Sequence, residues 1–76
     1  MTDVVDEAYE AAEDWRSSVG ARLEGPKHRA AGFDVVKIVL PSGRARLGVM
    51  PPGLQGRARE EAFKRAVVDA CHLLQE

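Results

Sequence analysis

A chain of 76 residues with a single cysteine is one domain near the lower limit that an apolar core can support, and it excludes an intramolecular disulfide. A net charge of −1 and a sequence pI near 6.1 exclude a uniformly basic nucleic-acid binder. No apolar run approaches the roughly 20 residues a membrane-spanning helix needs, and the acidic first residues are unlike a secretory leader, so a cytoplasmic location is expected.

The charge is strongly segregated. The first fourteen residues carry six acids (Asp3, Asp6, Glu7, Glu10, Glu13, Asp14) and no base. All eleven Lys and Arg lie between Arg16 and Arg65, where the acids are Glu24, Asp34, Glu60 and Glu61, a local balance of +7. Such asymmetry marks either an anionic partner or an acidic helix that neutralises the basic segment within the fold.

The spacing of Val4/Val5, Ala8, Ala12, Trp15, Val19 and Leu23 predicts an amphipathic helix over about residues 3–23, with Thr2 or Asp3 as its cap. Acids in its first turns complement the positive end of the helix dipole. Gly25-Pro26 reads as a stop, and residues 25–32 as a connector holding Lys27, His28 and Arg29.

Residues 33–40, rich in β-branched side chains, read as a strand. Pro41-Ser42-Gly43 forms a tight turn into a partner strand over residues 44–50, ended by Pro51-Pro52. A final helix is expected over about residues 56–74, from the stripe Ala62, Phe63, Ala66, Val67, Ala70, Leu73 and Leu74. The expected fold over residues 1–76 is a single α+β domain in the order α-β-β-α, an antiparallel hairpin packed against two helices and completed by dimerisation.

A turn closing with Gly43 as a bulge residue pairs Leu40 with Arg44. One face then carries Phe33, Val35, Lys37, Val39, Ala45, Leu47 and Val49; the other carries Asp34, Val36, Ile38, Leu40, Arg44, Arg46, Gly48 and Met50. The first is the more apolar and is expected beneath the helices. Val36, Ile38, Leu40 and Met50, with Arg44 and Arg46 at the rim, then form an uncovered interface, and a homodimer through that face or through strand edges is expected.

Reactive constellations are scarce. Cys71 and His72 point about 100° apart on a helix, poor geometry for joint chelation with His28, so no metal or cofactor is expected. Ser17, Ser18 and Ser42 lie in no nucleophile-elbow context. Trp15 and Phe63 belong to apolar stripes, and Tyr9 alone is no stacking platform.

Basic side chains remain. Gly-Arg-Ala-Arg occurs at residues 43–46 and 56–59, on different elements, so it is not one motif used twice. Lys27, Arg29, Arg44, Arg46, Arg57 and Arg59 are candidate anion or nucleic-acid contacts, the last two at a helix start. The leading expectation is a small non-catalytic protein-interaction module, an adaptor or regulator that pairs with itself and an unidentified protein partner. The alternative is a nucleic-acid-binding module using the basic central segment.

Overall fold

A computed structural model describes residues 4–29 and 32–76. The elements are α1 (Val4–Val19), β1 (Arg22–His28), β2 (Asp34–Val39), β3 (Ala45–Met50) and α2 (Gly56–Gln75). The three strands form one antiparallel sheet in the order β1-β2-β3. The domain is α+β as expected, but its order is α-β-β-β-α. The expected Thr2 or Asp3 cap and residues 30–31 of the expected connector lie outside the described residues.

β1 occupies sequence expected to be helix end and connector. The helix stops at Val19, where Gly20 takes φ +72°. The Ala21 N–H donates to the Arg16 carbonyl (3.0 Å), and Arg16 Nη1 donates to the Ala21 carbonyl (3.1 Å), closing the helix end. Leu23, four residues after Val19, is therefore a strand residue opposite Ile38 rather than the last of a helical stripe. Gly25-Pro26 bends the strand instead of ending it, because the register shifts between Glu24 and Lys27 and absorbs these two residues. Glycine is required at position 25: its φ is +98°, and a Cβ would sit 2.8 Å from the Val35 carbonyl oxygen.

The β2–β3 hairpin closes in the expected register. The Leu40 N–H donates to the Arg44 carbonyl (2.8 Å) and the Gly43 N–H to the Leu40 carbonyl (2.9 Å). Pairing continues from Val39↔Ala45 to Asp34↔Met50.

The two faces are exchanged relative to expectation. Val36, Ile38 and Met50 are fully buried against Ala62, Ala66, Val67, Ala70, Cys71 and Leu74 of α2. The helix-free face carries Lys37, exposed at its centre between Glu24 and Leu47 on the neighbouring strands. An ammonium at the centre of a face cannot be covered by an apolar helix without a partner. Of the charges on the covered face, Asp34 and Arg44 sit at its ends, where they reach the termini of α2, and Arg46, opposite Ile38 on β3, is exposed and turns its guanidinium to the Ala45 carbonyl.

α1 packs chiefly on α2. Tyr9 lies tilted against Phe63 with ring centroids 6.2 Å apart, Ala12 is buried beside Cys71, and Asp6 pairs with Lys64 (2.7 Å). Among the described residues no helix is long and apolar enough to cross a membrane.

Candidate nucleic-acid interface

The antiparallel order brings the end of β1, the start of β2, the end of β3 and the start of α2 to one end of the domain. Lys27 and His28 close β1, Arg29 opens the loop after it, and Arg57 and Arg59 lie in the first turn of α2. All five side chains are on exposed residues. The loop is fixed by the Arg29 N–H donating to the Phe33 carbonyl (2.8 Å). It abuts the segment leading into α2, since a Cβ at Gly32 would lie 3.8 Å from Pro52 Cβ.

Asp34 ties these elements together. One carboxylate oxygen accepts from Arg59 Nη2, and the other lies 3.1 Å from His28 Nδ1. Its side chain is only 13% exposed. The hydrogen bond from Arg59, then that from His28, holds its carboxyl below the ordinary value. Asp34 is thus a positioning group that fixes α2's first turn against the β1–β2 loop. The sequence reading missed this role. Its one signal was an acid at the first position of the strand face that α2 covers.

The start of α2 is unusual for a helix. The residue at its cap is Gln55, which makes no side-chain capping hydrogen bond, and the first turn has no acid. Ser, Thr, Asp or Asn is the ordinary choice at a cap, and acids ordinarily follow because they complement the dipole. Here two arginines occupy that turn instead. Backbone N–H groups without a side-chain cap and two guanidinium groups together give a positive, donor-rich end. Among the described residues Lys27, Arg29 and Arg57 make no ion pair. A small cleft lined by Val5, Asp6, Arg57, Glu60, Glu61 and Lys64 marks the side on which acids border this group.

Arg44 and Arg46 are not part of the cluster. They lie at the hairpin end of the sheet, where Arg44 donates to the carbonyls of Leu74 (3.5 Å) and Glu76 (3.2 Å), capping the C-terminus of α2. Arg46 Nη1 donates to the Ala45 carbonyl (2.8 Å). The six cations expected as one group therefore divide into four at one end and two at the other. Val36, Ile38 and Met50, expected at an interface, are core residues, and Leu40 is half-buried against the same core. They are not free to meet a partner, because α2 lies on the face that the sequence reading left open.

Among the described residues the thiol and the two imidazoles do not converge on one site. Cys71 is fully buried and burial pushes its thiol up, whereas His72 is exposed with Nε2 3.6 Å from Glu76 Oε1. His28 lies at the opposite end of α2 from both. Among the described residues no group of His, Cys, Asp and Glu is arranged to hold a metal ion. Glu13 accepts from Tyr9 Oη (2.8 Å) and from Arg16. Burial pushes the Glu13 carboxyl up, but the Arg16 and Tyr9 hydrogen bonds outweigh it and hold the group below its ordinary range.

Comparison with protein families, with characterised proteins and with solved structures finds no match in any of the three.

Proposed function

We propose that this chain is a binding module for double-stranded nucleic acid, contacting phosphates through Lys27, His28, Arg29, Arg57 and Arg59. One observation carries the reading: α2 begins without a capping side chain or an acid, and places two arginines where they oppose its own dipole. Arg59 has a structural use in its pair with Asp34, but Arg57 has no ion pair among the described residues, and a phosphate at the helix start turns its placement into an advantage. Asp34 supports the reading by joining the two elements that carry the cations.

The chemistry favours a duplex over a single strand. Tyr9, Trp15 and Phe63 are half-buried against the core, and Phe33, half-buried in the β1–β2 loop, is a single ring, so the described residues give no run of aromatic faces for successive unpaired bases. α2 has its long face buried on the sheet and offers its end rather than its side, which suits backbone contact rather than reading of base edges. Shape-and-phosphate contact of this kind is the way double-stranded RNA is recognised, and that is the favoured duplex. The protein-interaction reading built on Val36, Ile38, Leu40 and Met50 loses its footing, since these residues serve the core.

Fluorescence anisotropy with a duplex RNA of about 16 base pairs, the matching duplex DNA and one single strand, each at two salt concentrations, tests the proposal. Duplex affinity is expected to fall steeply with salt, and R57A and K27A are each expected to lower the salt slope by about one. Absence of duplex binding at low salt removes the reading.

A further inference from the structure

We infer that β3 pairs with β3 of a second copy about a two-fold axis at Gly48, joining two three-stranded sheets into one of six strands. This inference concerns a different surface from the cationic end and does not rest on nucleic-acid binding.

The two sheet edges differ. β1 carries a bulge and Pro26, which blunt its edge. β3 runs six residues without proline or bulge. The Leu40–Arg44 hydrogen bond sets its phase: Arg44, Arg46, Gly48 and Met50 turn their backbone groups toward β2, and Ala45, Leu47 and Val49 turn theirs outward. On the helix-free face the side chains of Leu47 and Val49 are 45% and 61% exposed. An open edge flanked by exposed apolar side chains is a template for another strand.

Three features select a second copy as the occupant. First, an antiparallel pair centred on Gly48 sets Leu47 opposite Val49 of the other copy, and Val49 opposite its Leu47, so the apolar residues complement themselves. Second, in that register Ala45 faces Pro51 of the other copy, which has no N–H to give. The Ala45 carbonyl already accepts from Arg46 within its own chain, so the pairing leaves it satisfied. Third, Gly48 lies against Ala66 of α2. The axis therefore passes α2 near Ala66, with Arg65 and Asp69 on either side of that level. The antiparallel α2 of the other copy then sets Arg65 opposite Asp69 and Asp69 opposite Arg65, two ion pairs of opposite charges related by the axis. Both residues line the cleft of about 350 Å³ beside this edge, together with Val49, Pro51 and Leu54 and with Glu61, whose pair with Arg65 within the chain (3.1 Å) Asp69 of the second copy would extend.

Size exclusion with light scattering on the full chain, from low to high micromolar concentration, tests the inference. The wild type is expected to show a concentration-dependent dimer, and V49K, altered at an exposed position, a monomer with unchanged helical circular dichroism. R65D and D69R are each expected to weaken the dimer about tenfold by placing like charges together, and R65D/D69R to restore it. A wild-type monomer at high micromolar concentration overturns the inference. So does a dimer insensitive to V49K, or a double variant as weak as either single one.

Discussion

Gly48 lies directly beneath Ala66: a Cβ built on Gly48 would come within 2.6 Å of the Ala66 carbonyl carbon and 2.9 Å of its Cα. The obstacle is helix backbone, which cannot rotate aside as a side chain can. Gly48 and Ala66 together let α2 approach the sheet closely enough to bury Val36, Ile38 and Met50 completely. Gly48→Ala is expected to destabilise the domain by about 2 kcal/mol, within the range for overpacking, and Gly48→Val by more. Urea unfolding followed by circular dichroism checks this; a midpoint unchanged in Gly48→Ala would refute the close approach.

The Asp34 carboxyl is held below its ordinary value of 3.8 by Arg59 and His28. A group with a depressed folded pKa binds its proton more readily in the unfolded chain. Its contribution is therefore fully present above about 3.8 and is lost as pH falls through the lowered folded value. Asp34→Asn is expected to remove this part of the acid dependence. Stability profiles of wild type and variant should converge at the acid end and separate above it.

The parts of this fold that were legible in the sequence are those set by short-range chemistry. Pro41-Ser42-Gly43 gave the hairpin and its register, and the alanine-rich stripe from Ala62 to Leu74 gave α2 within a residue of its observed bounds. β1 was hidden because a bulge at Gly25-Pro26 breaks the alternation by which strands are recognised, and because Leu23 continues a helical spacing. The faces were exchanged because counting apolar residues ignores where the charge sits. Lys37 on the central strand weighs more than Asp34 and Arg44 at the ends or Arg46 on the edge strand, and Gly48 counts as a gap that a helix fills. The cationic group at the start of α2 was visible in part, as Lys27, Arg29, Arg57 and Arg59. Its link through Asp34 was not, since 25 residues separate Asp34 from Arg59.

Arg44 caps the far end of α2 through the carbonyls of Leu74 and Glu76. Arg44→Ala is expected to lower stability by no more than about 1 kcal/mol, because both hydrogen bonds lie near solvent. The effect should be local: faster amide exchange through the last turn of α2, with the sheet unaffected. Arg46→Ala, which leaves the cap intact, serves as the comparison and should leave that turn's exchange unchanged.

Cys71 is fully exposed to no solvent in the folded chain, and burial pushes its thiol up. The thiolate is the reactive form, so the native protein should resist alkylation. Labelling by a thiol reagent is expected to follow the rate or extent of opening, accelerating with sub-denaturing urea. Prompt stoichiometric labelling of the native protein at neutral pH would contradict the burial.

α1 reaches the rest of the molecule chiefly through α2, by way of Tyr9, Ala12 and Asp6. It is therefore docked on a helix that must itself already be seated on the sheet. The order of assembly follows: sheet and α2 form a core that can persist while α1 swings free, whereas α1 has nowhere to dock if α2 lifts off. Partial opening should thus be a graded event beginning at the N-terminal helix, and protease cleavage under native conditions should fall first within Val4–Val19, leaving a fragment that keeps the hairpin and α2 together.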